Sequence, residues 1–454
     1  MYKIFSTFPE LKEFENDINL RMNNYYNKRH EILNDNMKIS DFANGHKWYG
    51  FHHINDMWVY REWAPGADQL FLTGDFNNWE WIANEATKIG NGEFEMNRYL
   101  HILLMLVATL SVAAQERWSY DQNKPIGWGT VGDTITGSSD ENPVIVTSQE
   151  ELLAAFNKKG RTEKKTIYLK GVIKVSGLLV IKDQENKTIY GLPGSALENT
   201  THSTVIDESG ILQLSRCRNI IMRNVTFKGA GAYDMDGKDN LILYESKYIW
   251  LDHCDIQDGV DGNFDINNGS DFISVTWCRF RYLKAPWPGG SGGSDDHRYS
   301  NLIGSSDSQG LKDEGHLRVT FANCWWDEGC KERMPRIRFG QVHILNCLYS
   351  SSSTHYCVGA GYRSNTYVEK CAFTSKGAQK TPWQCYANSQ GKTDYNITIK
   401  DCYGARDEQQ HSGNIPYFIP SETYTYPAFD SCLVEQVVSD PKHGAGATMT
   451  ISEN

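Results

Sequence analysis

The sequence predicts an all-β solenoid, a parallel β-helix, from three observations. A short strand-like pattern returns about every 23 residues, apolar residues alternate within each return, and cysteines stand at one equivalent place in it. The recurring segments are NIIMRNVTF, YIWLDHCDI, FISVTWCRF, VTFANCWW, QVHILNCLY, TYVEKCAF and NITIKDCYG. Aligned, they put Val225, Cys254, Cys278, Cys324, Cys347, Cys371 and Cys402 in one column, with gaps of 29, 24, 46, 23, 24 and 31 residues. The gap of 46 equals two periods of 23 and places a long insert, around Pro286 to Arg298, within one modified repeat.

Alternation before each cysteine is the pattern of a strand with one buried face. Repeats of this length made of strands bury that face only by stacking on their neighbours, which is the logic of a solenoid. In-register side chains on parallel strands keep the strand spacing of about 4.7–4.9 Å. A disulfide prefers Cβ atoms about 3.8 Å apart. The aligned cysteines therefore read as a buried file of small apolar side chains. A bridge elsewhere, such as Cys324 to Cys330, stays open, and the odd total of 11 leaves at least one thiol outside any internal pair. SQEELLAAFNKKG, Ser148 to Gly160, predicts a helix with Ser148 as N-cap and Gly160 as stop. It would close the open end of the solenoid, whose unpaired edge otherwise invites aggregation.

The N-terminal part differs in kind, since no cysteine precedes Cys217. REWAPGADQLFLTGDFNNWE, Arg61 to Glu80, alternates short β-type runs with turns. From Met96 the chain reads MNRYLHILLMLVATLSVAAQE: one Arg, an apolar run to Val112, then Ala113-Ala114 before Gln115. That is the layout of a secretory signal peptide, too short to span a bilayer comfortably. A buried helix between two domains is the alternative. The expected division is 1–95 as a foreign fragment, 96–114 as an internal signal, and 115–454 as the exported solenoid.

A net charge of -11 disfavours nucleic acid, whose binding depends on cationic contacts to phosphate. An acidic polymer would also be repelled overall, so a site for one needs local cations, from arginine, lysine or a metal. No CxxC pair or Cys/His cluster of zinc spacing occurs. Three carboxylates stand out on the ladder: Asp261 and Asp265 in DGNFDINNG, and Asp239 in GKDNLILYES on the preceding coil. Residues one coil apart become neighbours, and such oxygen donors suit calcium. Asp and Asn also simply populate turns. Asp252, in WLDHC, reads as a core-flanked residue hydrogen-bonding backbone between coils. In ERMPRIRFG, Arg333, Arg336 and Arg338 supply local positive charge, unless they only pair with Asp327, Glu328 and Glu332.

Two resemblances sharpen this reading. Residues from about Ile39 to Phe94, with WAPGA and GDFNNW, resemble the N-terminal carbohydrate-binding β-sandwich module of glycogen branching enzymes. The barrel that should follow is absent, so the expectation is a small partial β-sandwich fragment without branching activity, with Trp79 and Trp81 as core before glucan contacts. From Gly127 to Pro420 the chain resembles the pectate lyases of polysaccharide lyase family 1, carried by YIWLDHCDI, DGNFDINNGSDFISV, LIGSSDS and ERMPRIRFGQVHILN.

That second resemblance implies a right-handed parallel β-helix that binds Ca2+ through Asp239, Asp261 and Asp265. It also implies Arg333 as general base and Arg338 as a substrate-binding residue. The family's substrate-binding lysine falls where KAPWPGGSGGSDDHRYS displaces the alignment, and Lys284 is its equivalent, with Arg298 as rival. A further family aspartate is Gly237 here, with Asp236 the nearest substitute. The implied reaction is β-elimination on polygalacturonate by a secreted monomer, without nucleic-acid or membrane partners. An arginine base needs a depressed pKa, hence an alkaline optimum. The alternatives are a pectin lyase on methyl-esterified polymer, a non-catalytic pectin-binding solenoid, a working glucan-binding module in residues 1–95, and a metal-independent hydrolase.

Overall fold

The computed structural model describes residues 4–32, 48–54, 57–72, 84–90, 92–99, 123–139 and 142–452. The chain forms two compact units, Met1–Tyr120 and Asp121–Asn454.

In the first unit, strands Gly50–Ile54, Met57–Trp63, Glu93–Tyr99 and Thr87–Gly90 form an antiparallel sheet in that order. A helix over Glu15–Ile32, which the β-type patterns did not suggest, carries acids in its first turn and Arg29 and His30 in its last, as the helix dipole favours. Trp79, Trp81 and the apolar run of the expected signal lie outside the described residues. Met96–Tyr99 belong to the Glu93–Tyr99 strand, paired with Met57–Tyr60.

The second unit is the expected parallel β-helix. Three sheets run its length: an eleven-stranded sheet from Val144–Val146 to Glu408–Ser412, and two of eight strands, one from Val172–Lys174 to Ala372–Phe373 and one from Leu179–Lys182 to Trp383–Cys385. Only Glu408–Ser412 pairs antiparallel within these sheets. Each coil contributes one strand to each sheet in strict register, for example Ile249↔Ile273↔Val319↔Val342↔Thr366.

Register turns sequence columns into files of side chains. Cys254, Cys278, Cys324, Cys347 and Cys371 are buried, and backbone N–H groups of Cys324, Cys347 and Cys371 donate to the sulfurs one coil on, at 3.3, 3.3 and 3.4 Å. All eleven cysteines are free thiols, Cys324 and Cys330 included. A second file stacks Phe280, Trp326, Tyr349 and Phe373, with centroids 4.6–5.6 Å apart, in offset arrangements that favour such pairs. The residue before each file cysteine turns the corner in the left-handed region: Asn323, Asn346, Lys370 and Asp401 have φ of 57, 48, 50 and 53°. Asn and Asp tolerate this conformation better than most side chains.

Three expectations change. The 46-residue gap is one coil rather than two, because Asp271–Thr276 pairs directly with Arg318–Ala322. The extra residues are loops before and after Asn301–Ile303. The cap helix runs only Gln149–Ala155, ending at Phe156 rather than Gly160, with Ser148 accepting from the Glu151 N–H. Leu152 and Phe156 pack into the end of the core.

Asp252 bonds side chains rather than backbone. It accepts from Arg223 Nε at 2.8 Å and Thr276 Oγ1 at 2.6 Å, and His253 Nδ1 lies 2.8 Å away. On a later coil, buried His343 lies between Tyr424 Oη and Glu369, at 3.1 and 2.9 Å, and Tyr426 donates to the same Glu369 carboxylate.

Burial pulls the His343 pKa down, although Glu369 opposes it. Glu369 is raised by burial, but the bonds from His343 and Tyr426 leave it below its ordinary value. For both groups the unfolded chain takes up protons that the native state refuses, so their contribution is present above the unfolded pKa and lost as pH falls. The stability advantage of wild type over His343→Gln therefore shrinks between about pH 7.5 and 5.5, read by urea unfolding at each pH. A constant gap contradicts the assignment. In the native protein a chromogenic thiol reagent labels exposed Cys385 and Cys432 first and partly exposed Cys402 next. Labelling of Cys254, Cys278, Cys324, Cys347 or Cys371 before unfolding would contradict their burial.

Candidate functional site

The sheet that begins at Leu179–Lys182 carries the candidate site, because the loops entering its strands bring charged residues to neighbouring coils. Asp239 precedes Leu241–Tyr244 by two residues. Asp265 lies on Phe264–Asn267, opposite Ile242. Asp261 is in the loop just before, and the Asn240 N–H donates to Gly262 O at 3.2 Å. Any side chain at Gly262 would collide with the Asp239 carboxylate. Asp239 and Asp265 are buried, 7% and 9% exposed, and Asp265 accepts the Leu302 N–H at 2.9 Å.

Burial and the charges of Asp265 and Asp261 push Asp239 well above the carboxylate range. Burial and Asp261 push Asp265 up to about 7, against bonds from Leu302 and Asp239 and the charge of Arg333. Crowded, desolvated carboxylates cannot all ionise without a compensating cation.

Arg333 belongs to the same electrostatic set. It sits three residues before Arg336, whose strand adjoins Asn301–Ile303, and its guanidinium carbon lies 4.6 Å from the Tyr299 ring centroid. Burial lowers its pKa, yet Tyr356, Asp265 and Asp261 hold it above the ordinary value. Arg338 is tied to Asp307 Oδ1 at 2.8 Å and to Gly304 O at 2.9 Å. Arg336 lies over Tyr386, 4.0 Å from its centroid. Asp327 pairs with Arg279 and Glu332 with His355, so those acids are engaged elsewhere. Arg298 is bound to Asp296 at 2.7 Å and Ser353 at 3.3 Å. The Lys284 ammonium donates to Gly229 O at 2.7 Å.

Two residues escaped the sequence reading. His297 is buried between acids, Nδ1 3.0 Å from Asp234 and Nε2 3.1 Å from Asp261, without hydrogen-bond alignment. Tyr299, 4.1 Å from the His297 ring, lies beneath Arg333. Both flank Arg298, and neighbours in an extended run face opposite ways.

Asp239, Asp261 and Asp265 suit a hard divalent cation in donor chemistry and in charge, since the mutual repulsion of buried carboxylates is what such an ion relieves. As they stand, no group of three or more His, Cys, Asp or Glu among the described residues is close enough to hold an ion.

A family model described as pectate lyase matches residues 102–446. The chain belongs to the pectate lyase family. A second model, carbohydrate-binding module 48 (isoamylase N-terminal domain), matches residues 48–97, in line with the first resemblance. The family members most similar in sequence include a "Probable pectate lyase B" of Aspergillus terreus, 34% identical over 49% of this chain and 60% of its own. "Pectate lyase plyB" of Emericella nidulans is 33% identical over 50% and 62%. The chain thus spans about three-fifths of the length of these curated relatives. Among solved pectate lyases, one bound to hexasaccharide superimposes with a TM-score of 0.55 at 20% identity, covering 71% of this chain and 96% of its own. A Bacillus subtilis variant gives 0.54 at 19%, covering 72% and 97%. At such identities the likeness shows the fold.

Because the buried acids repel one another, Asp265→Asn raises the thermal unfolding midpoint in chelator by a few degrees, roughly 2–4 °C per kcal/mol relieved. A lowered midpoint would show that Asp265 is held by its bonds rather than opposed by its neighbours.

Proposed function

We propose that residues 115–454 are a secreted, monomeric pectate lyase that cleaves α-1,4-linked polygalacturonate by calcium-dependent β-elimination, leaving 4,5-unsaturated ends. The observation that carries this reading is one set of charges on adjacent coils: three crowded carboxylates with Arg333 in their field. The names of the curated relatives support it, as does a neighbour described by its specificity and anti β-elimination mechanism. The family match from residue 102 supports the division at the 96–114 segment, and no helix among the described residues is long and apolar enough to cross a membrane.

Asp239, Asp261 and Asp265 would hold the calcium, which when bound neutralises these acids and polarises a uronate carboxylate. Arg333 takes the C5 proton of the galacturonate, the C5–H electron pair becomes the C4=C5 double bond as the C4–O bond breaks, and the departing oxygen takes a proton from water. Tyr356, Asp265 and Asp261 strengthen the hold of Arg333 on its proton, so its work as a base gains from alkaline pH. Tyr299 holds the guanidinium in place by cation–π attraction. Arg338, bound to Asp307, keeps donors for the substrate carboxylate.

The test is ultraviolet absorbance of the unsaturated product on polygalacturonate, with calcium and then with EDTA. Absorbance that grows with calcium and stops with chelator is expected, and Arg333→Lys lowers the rate by about 10²–10⁴-fold, the range of a general base. Turnover of methyl-esterified pectin in EDTA would favour the pectin lyase reading. Polymer binding without absorbance would make the solenoid non-catalytic.

A further inference from the structure

The insert between Lys284 and Arg298 is absorbed by none of the roles above, and its ends touch two different clusters. At one end Trp287 stacks on His202 with centroids 4.1 Å apart, and Tyr233 packs edge-on to the same His202 at 5.0 Å. The backbone of Trp287 is pinned, its N–H donating to Ala232 O at 2.8 Å, yet the residue is 46% exposed. At the other end His297 touches Asp234 and Asp261. Asp234 follows Tyr233 directly, so the aromatic cluster is continuous with the acid cluster through Asp234 and His297.

The insert is packed rather than loose. The Gly292 N–H donates to Asp234 O at 2.8 Å and the Ser294 N–H to Asp234 Oδ2 at 2.7 Å. Any side chain at Gly292 would collide with the Asp234 carboxylate. Trp287 Nε1 and Lys284 Cβ stand 3.3 and 3.4 Å from where a Cβ on Gly231 would lie. The exposed indole and the stem of Lys284 thus meet at Gly231, and the ammonium ends at Gly229 O, two residues back. The ammonium gives one hydrogen to Gly229 O and has two more.

We propose that Trp287 and Lys284 form a uronate-binding subsite, the pyranose ring stacking on the indole and the carboxylate meeting the ammonium. This rests on the pectate lyase reading and deepens it. A pinned aromatic face loses little conformational entropy on binding, and a cation beside it separates a uronate from a neutral glucan. The subsite is joined to the acid cluster through Asp234 and His297, so a ring held there is a further ring of the same polymer.

The experiment compares wild type, Trp287→Ala, Trp287→Phe and Lys284→Gln, each checked for wild-type circular dichroism. The ratio of kcat/KM on polygalacturonate to that on trigalacturonate falls on the order of tenfold in Trp287→Ala, the scale of an aromatic anchor, and recovers in Trp287→Phe. A ratio unchanged in both Trp287→Ala and Lys284→Gln overturns the subsite. Electrophoresis through gels containing polygalacturonate reads binding without turnover: wild type is retarded more than Trp287→Ala or Lys284→Gln, whereas glycogen gels retard all alike. Equal mobility in polygalacturonate overturns the proposal. An inactive wild type whose retardation still depends on Trp287 sinks the lyase reading alone.

Discussion

Parallel, in-register hydrogen bonding from coil to coil is the constraint on which the rest of the solenoid depends. A one-residue slip would turn every buried side chain outward, so the register must hold over the whole length of the eleven-stranded sheet. Once held, it copies each column of the sequence into a straight file. The thiols, the aromatic rings and the left-handed corners are consequences of that one arrangement. The acids follow from it too, since Asp239 and Asp265 are 26 residues apart in the chain yet lie on adjacent coils, Asp239 two residues before the strand that pairs with that of Asp265.

Aspartate chemistry inside the solenoid is decided by partners rather than by burial. Asp252 is fully enclosed, and burial alone would raise it, but His253 and Arg223 bring it below its ordinary value. Asp239 and Asp265 are equally enclosed, face other carboxylates, and rise. A buried charge with its counterion strengthens register between coils, whereas buried like charges store free energy against the fold. Such strain is retained where a ligand relieves it, which is the physical reason for proposing binding at Asp239 and Asp265 and a structural role at Asp252.

The files were legible in the sequence because a column of cysteines with a fixed period has few explanations other than stacked coils. The acid cluster was legible because coil neighbours can be counted along the repeat. Counting failed at the 46-residue gap, where two loops on one coil imitate an extra rung in length alone. His297 and Tyr299 were missed because no repeat precedes them in the insert, and the charge of Arg298 drew attention to the residue that faces Asp296 instead. The helix at Glu15–Ile32 has little apolar periodicity and was invisible for that reason.

A solenoid makes new binding surface cheaply, because a loop inserted between two strands need not disturb the register of either. The Lys284–Arg298 insert uses this freedom: Phe264 still pairs with Asn301 across it. Its own order comes from elsewhere, from the Asp234 carboxylate and backbone that hold Gly292 and Ser294. A loop fixed in this way keeps Trp287 exposed without leaving it free to collapse onto the core. An indole kept exposed, beside a lysine and joined to the acid cluster, is better accounted for by a ring it receives than by the fold it decorates.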